Sequence, residues 1–138
     1  MKMTTYVNFP GNCAEAFKYY EKHLGGNICM MMTHGQTPGP PQPNPEWNDA
    51  VLHARITIAG TEIWAADIPN AEPMRSTYLT LNTATDDEAE QIFSELSNGG
   101  QVFMPMQETF FASRFAQLRD RFGINWMILN ERLTPSGA

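Results

Sequence analysis

The chain has 138 residues, 42% of them hydrophobic and 17% charged, which suits one compact domain that buries a core without covalent staples. Nine Lys+Arg against fifteen Asp+Glu leave a net charge of -6, with no Lys/Arg cluster, so an electrostatic nucleic-acid binder is excluded. No apolar run is long enough for a membrane span, and the N-terminus MKMTTYVNFPGN lacks the apolar stretch of a signal peptide, so a soluble cytoplasmic chain is expected.

The first element is a strand over residues 4–9, closed by the turn signal Pro10-Gly11. Asn12-Cys13-Ala14-Glu15 then has the form of a capping box, and Phe17, Tyr20 and Leu24 recur at helical spacing before Gly25-Gly26 stops the helix. His23 falls in its last turn, where a cation complements the helix dipole. Residues 27–33 read as a strand.

Residues 33–49, THGQTPGPPQPNPEWND, carry five of the ten prolines, which rules out a regular ladder. The stretch reads as a surface loop; a lid over a pocket, an arm to a partner subunit and a PxxP ligand are the other readings. His34 opens it and is expected to lack a fixed partner. Strands follow at 51–58 and 62–66, joined through Gly60.

The same order then recurs. An alternating strand at 76–82, a capping box at Thr85-Asp86-Asp87-Glu88, an apolar helical face of Ile92, Phe93 and Leu96 and a stop at Gly99-Gly100 lie 72 to 74 residues after their counterparts. Strands at 101–106, 114–120 and 125–130 complete the second copy, with Gly123 in the place of Gly60, and the tail from Leu133 to Ala138 is expected to fray. Two βαβββ copies, about 1–70 and 71–133, make an α+β fold in a single domain.

Cys13 and Cys29 form neither a disulfide framework nor a CxxC pair, and both read as buried small hydrophobes. Most of the nine methionines read as core filling. His53 lies in the strand at 51–58, two residues from Arg55; it reads either as a hydrogen-bonded structural residue or as a pocket acid/base, with metal ligation the least supported. Asp67, at the end of WAAD, reads as a turn residue or a cleft-rim group, with Glu62 on the same strand, and Asp120 reads as a turn former. Trp126 reads as packed against a helix, and Tyr6, Tyr19, Tyr20 and Tyr78 as core or interface aromatics.

As a set, FPGNCAEAFKYYEKHLGG, VLHARITIAGTEIWAADIP and QETFFASRFAQLRDRFGINWMILN resemble the PhnB-like branch of the vicinal oxygen chelate superfamily, which includes glyoxalase I, extradiol dioxygenases and bleomycin- and fosfomycin-resistance proteins. The resemblance runs from about Thr4 to Asn130. It implies an eight-stranded curved mixed sheet around a cleft, with helices on the outer face, in a homodimer. Metal-dependent members place His, Glu or Gln at four cleft positions; carried over, these fall on Thr5, Trp64, Thr77 and Met127, none of them a ligand suited to a divalent ion. No metal or other cofactor is therefore expected. Gln107, Thr109 and Phe111 match the family's QETFWG segment, with Phe111 and Ala112 where Trp and Gly are usual.

The resemblance thus implies a metal-independent cleft for a small organic molecule, of sequestration or resistance type, lined by Thr5, His53, Trp64, Asp67, Thr77, Gln107, Phe111 and Met127. The alternatives are an enzyme using His53 as acid/base with Asp67 or Glu62, an enzyme of lyase or dioxygenase type with an unrecognised metal site, and a structural module. Some relatives bear a demethylubiquinone methyltransferase label; no GxGxxG, P-loop or GxSxG motif is present to support it or a nucleophile-elbow enzyme.

Overall fold

A computed structural model describes residues 1–38 and 45–132. The chain is α+β and divides into two compact units, Met1–Glu72 and Pro73–Ala138. Each is a βαβββ module, so the eight strands form two four-stranded sheets.

In unit 1, β1 (Thr5–Phe9), α1 (Cys13–Leu24), β2 (Asn27–Thr33), β3 (Val51–Ile58) and β4 (Thr61–Asp67) give the sheet order β1-β4-β3-β2. Only β1 and β4 run parallel, because α1 and two strands intervene between them; β2-β3 and β3-β4 are antiparallel. The β3-β4 loop is two residues long, and Ala59 (φ 51°) and Gly60 (φ 79°) both take the left-handed conformation that a tight hairpin of this hand needs.

Strand periodicity sorts the side chains of unit 1 into two faces. Val7, Phe9, Ala54, Ile56, Ile58, Ile63 and Ala65 are buried, as are Cys13, Ala16, Phe17 and Tyr20 of α1. Phe9 meets Phe17 edge-on at 6.1 Å, which fixes this as the face that α1 covers. The opposite face carries Tyr6, His53, Arg55, Thr57, Glu62 and Trp64, all partly or well exposed.

Asn12 does not cap α1: its side chain makes no capping bond, and Oδ1 is buried without a partner. The carboxylate of Asp67 takes over that work. His34 opens a one-turn 3-10 helix, His34–Gln36, its N–H bonded to the Ala50 carbonyl and its own carbonyl accepting from Thr37 Oγ1, so the expectation of a loose residue is corrected. A second such turn spans Pro45–Trp47. The centre of the proline-rich stretch and the tail from Leu133 lie outside the described residues. Cys29 is exposed, at the irregularity in β2 where the pairing with β3 shifts, which corrects its expected burial; Cys13 is buried.

Unit 2 contains β5 (Leu79–Asn82), α2 (Asp86–Ser97), β6 (Gln101–Gln107), β7 (Ala112–Arg119) and β8 (Asn125–Glu131), in the order β5-β8-β7-β6. Here the cap is the expected one: Thr85 Oγ1 accepts from the Glu88 N–H at 3.1 Å, and Glu88 reaches back to the Ala84 N–H. Ala116, Leu118, Trp126 and Ile128 are buried on the α2 side, where Arg114 of β7 pairs with Glu90 of α2. On the opposite face Ala112, Phe115 and Leu129 form a buried cluster, with Met104, Phe111 and Met127 packed against it.

Candidate ligand site

The face of unit 1 opposite α1 holds a connected set of functional groups from three strands. Antiparallel pairing sets Arg55 beside Trp64, and parallel pairing sets Tyr6 on the other flank of Trp64. The Arg55 guanidinium lies over the indole, 4.0 Å from the ring centroid, a cation–π geometry. His53 meets Trp64 edge-on at 5.6 Å and stacks on Tyr6 at 5.8 Å. Glu62 closes the set: its Oε1 accepts from Trp64 Nε1 at 2.7 Å and lies 3.8 Å from Arg55 Nη1.

These contacts determine the His53 tautomer. Arg55 Nε can only donate, and it lies 3.0 Å from His53 Nε2, so Nε2 is the acceptor. The ring proton is then on Nδ1, 3.4 Å from the Tyr6 hydroxyl. His53 thus links a phenol to a guanidinium. Burial, then the nearby Cys13, hold the Tyr6 phenol above its ordinary 10.0.

Of the residues expected to line a cleft, His53 and Trp64 come together here. Thr5 does not join them: it shares the β1 face with Val7 and Phe9, and its neighbour Tyr6 takes the place beside Trp64. A slip of one residue exchanges faces in a strand, which explains the correction. Tyr6, 47% exposed, is likewise not a core aromatic. The alternation Tyr-Val-Asn-Phe carried that signal, since Val7 and Phe9 mark the covered side.

Asp67 is also corrected. It is 4% exposed, on the α1 side of β4; Oδ1 accepts from the N–H groups of Gly11 (3.1 Å) and Cys13 (2.9 Å), and Oδ2 from that of Val51 (2.8 Å). All of its acceptor geometry serves the scaffold, clasping the start of α1 and the start of β3 to the end of β4. Asp120 does the same in unit 2, accepting from the backbone of Phe122 and Ile124 and from Trp126 Nε1.

In unit 2, Met127 and Phe111 lie with the apolar cluster, Phe111 meeting Phe115 edge-on at 5.3 Å. Gln107 ends β6 and is exposed. Thr77 precedes β5, which begins at Leu79, and the residue paired with Met127 is Thr80. Position by position, the first- and last-strand pairs are therefore Tyr6 with Trp64 and Thr80 with Met127.

Residues 1–129 match the family described as 3-demethylubiquinone-9 3-methyltransferase. The chain belongs to this PhnB-like family. It is 32% identical to protein YjdN of Escherichia coli over 93% of this chain and 94% of that one. Among solved structures, protein PA1353 from Pseudomonas aeruginosa is 36% identical, covering 95% of this chain and 98% of that one with a TM-score of 0.83. A PhnB protein from Bacillus cereus is 25% identical, covering 94% and 99%, with a TM-score of 0.79. The fold is also shared with FosX of Listeria monocytogenes, solved with Mn(II), which superposes with a TM-score of 0.63 at 9% identity over 95% of this chain and 90% of that one.

The metal that the sequence resemblance implies for metal-dependent relatives does not fit the residues present. A phenol, an indole, a hydroxyl and a thioether occupy the four strand positions, and hard divalent ions take carboxylate, imidazole and amide donors there. Among the described residues no three His, Cys, Asp or Glu side chains converge to hold an ion. Likewise, no helix among the described residues is long and apolar enough to cross a membrane.

Proposed function

We propose that the protein binds a small organic molecule without a metal, on the Arg55–Trp64 platform, as a sequestration-type homodimer. The observation that carries this reading is the preorganised platform itself: the guanidinium already lies 4.0 Å over the indole, pinned by His53 and Glu62, on a half-exposed face. A fixed aromatic surface with a few convergent polar groups is the usual composition of a small-molecule site. Homodimer formation finds support in exposed Leu52, and in Val102 and Phe110 of unit 2, the last 66% exposed. Methyl transfer, which the family description names, finds no support in the sequence, which has no glycine-rich fingerprint for a nucleotide-bearing donor.

A second reading has one observation in its favour, the chain of hydrogen bonds from Tyr6 through His53 to Arg55, which could carry a proton to or from a bound ligand. As it stands, Arg55 occupies the Nε2 lone pair, so His53 acts as a base only once Arg55 releases it.

The test is a thermal-shift screen of apolar and anionic metabolites, followed by titration calorimetry of the hits on wild type, Trp64→Ala and Arg55→Ala. Binding about tenfold weaker in both variants is expected, from loss of the stacked surface and of a charged donor. Equal binding to wild type and both variants overturns the assignment, as does a hit that requires Mn(II), Zn(II) or Ni(II). Light scattering after size exclusion reads the oligomeric state, and a monomer at micromolar concentration overturns the dimer.

A further inference from the structure

Five arginines carry all the side-chain positive charge of unit 2, and four of them, Arg75, Arg114, Arg119 and Arg132, are not used alike. Arg114 pairs with Asp86 and Glu90, and Arg132 with Glu108. Arg75 and Arg119 make no ion pair with any described residue, although acids outnumber bases in this chain. Both line one open pocket of about 360 Å³, with Ser76, Tyr78, Phe103 and Asn125 completing its wall. No carboxylate is among these six residues.

The pocket is built rather than incidental. Asn125 is 1% exposed, and its Oδ1 accepts from Arg119 Nε at 3.0 Å. The Met74 carbonyl accepts from Arg119 Nη2 at 2.6 Å and from Asn125 Nδ2 at 3.3 Å. Met74 is itself fixed, its N–H bonded to the Gly123 carbonyl at 2.9 Å. These bonds hold the guanidinium plane and leave Nη1 without an acceptor among the described residues. One side of the guanidinium faces Phe103, 5.3 Å from its ring centroid, and Tyr78 meets that ring edge-on at 6.5 Å. A held arginine with an unused nitrogen, a second unpaired arginine and two aromatic rings thus share one concave volume.

We infer that this pocket binds a small anion whose carboxylate or phosphate group is carried on a flat apolar body. The oxyanion takes Arg119 Nη1 and Arg75, and the body lies against Phe103 and Tyr78. Arginine suits both oxyanions because its planar fork matches their oxygen geometry. A volume of about 360 Å³ admits one small molecule rather than a polymer, and lies at the low end of the roughly 300–1,000 Å³ usual for such sites. The site uses none of the residues of the Arg55–Trp64 platform, so it stands or falls independently of that assignment.

The probes are benzoate, phenyl phosphate, their uncharged analogue benzamide, and inorganic phosphate, each titrated into the full-length protein by two-dimensional NMR and calorimetry at low salt. Benzoate or phenyl phosphate is expected to bind and to move the resonances of Arg75, Tyr78, Phe103 and Arg119. Their order of affinity tells carboxylate from phosphate. Arg75→Ala and Phe103→Ser, both at exposed side chains, are each expected to weaken binding about tenfold while leaving the fold intact. Arg119→Lys keeps the charge but loses the fork, and is expected to weaken binding as well. The inference is overturned if neither aromatic anion binds at 10 mM (about 2.7 kcal/mol), if benzamide binds as tightly as benzoate, or if Arg75→Ala and Phe103→Ser bind as wild type. Inorganic phosphate binding as tightly as phenyl phosphate overturns the role given to the aromatic wall.

Discussion

Replacing Asp67 tests whether its carboxylate is a fastener or a ligand group. It accepts three backbone N–H groups, those of Gly11, Cys13 and Val51, in a site that is 4% exposed. Each buried donor left without an acceptor costs about 1–3 kcal/mol. Asp67→Ala strands all three, and with water reaching the partly buried Gly11 end the loss comes to about 4 kcal/mol. Asp67→Asn keeps one oxygen for Gly11 and Cys13 but turns an amide NH2 toward the Val51 N–H, a loss of about 2 kcal/mol. With an unfolding entropy of about 2.1 cal/mol/K per residue, or about 0.29 kcal/mol/K for the chain, these losses lower Tm by about 14 and 7 °C. Urea titration followed by circular dichroism and a thermal scan measure both values, and ligand binding at 20 °C is expected to survive in Asp67→Asn. A stability within 0.5 kcal/mol of wild type, a small fraction of the usual 5–15, would refute the reasoning. Lost binding at unchanged stability would restore Asp67 to the cleft rim.

The two thiols are expected to separate cleanly. One equivalent of Ellman's reagent reacts in the native protein, at exposed Cys29, and the second only in denaturant; two fast equivalents in the native state would contradict the burial of Cys13. Burial, then the Asp67 charge, push the Cys13 thiol from 9.0 up to about 12, so the folded state holds that proton more tightly than the unfolded chain. That contribution is complete below pH 9 and is lost as pH rises toward 12, which urea midpoints across this range will show as falling stability. At the other end of the scale, hydrogen bonds from Ser113 and then Asn130 hold the Asp86 carboxyl below its ordinary 3.8. Its contribution is present above 3.8 and is lost as pH falls through the depressed value. Ser113→Ala is expected to raise the Asp86 pKa toward 3.8 in an NMR titration, and an unchanged value would remove Ser113 as the main cause.

The repeat was legible because its signals are local. A double glycine, a helical apolar stripe and alternating strands each operate within a few residues, and β2 and β3 begin and end where the pattern places them. What escaped was non-local. Asn12 has the residue type of a cap, yet a carboxylate 55 residues away satisfies the helix start, and no spacing rule could reveal that. Tyr6 escaped through a one-residue register choice, and Thr77 through a strand that starts two residues after it. His53 and Arg55 were readable as a pair because residues two apart on a strand share a face. Glu62 and Trp64 obey the same rule, but joining the two pairs needs the β3-β4 pairing.

Strand pairing makes the two units comparable residue by residue. Arg55 pairs with Trp64, and Gln117 with Met127; Ala54 pairs with Ala65, and Ala116 with Ile128. On this register, His53 corresponds to Phe115, Arg55 to Gln117, Glu62 to Asn125 and Trp64 to Met127. One sheet face has thus become a polar, hydrogen-bonded platform, while the other carries an apolar cluster around Phe115 and Met127. The helix clasp has changed as well. Asp67 corresponds to Asn130, Val51 to Ser113 and Cys13 to Asp86. In unit 1 the carboxylate sits on the sheet and receives N–H groups from the start of the helix; in unit 2 it sits on the first residue of the helix and receives Ser113 Oγ at 2.5 Å and Asn130 Nδ2 at 2.9 Å from the sheet. The acid and its donors have exchanged sides while the same helix end stays tied to the same strands. Because the scaffold keeps its fastening under either arrangement, the opposite face is free to diverge, and that face is where Arg55 and Trp64 in one unit, and Arg119 in the other, are found.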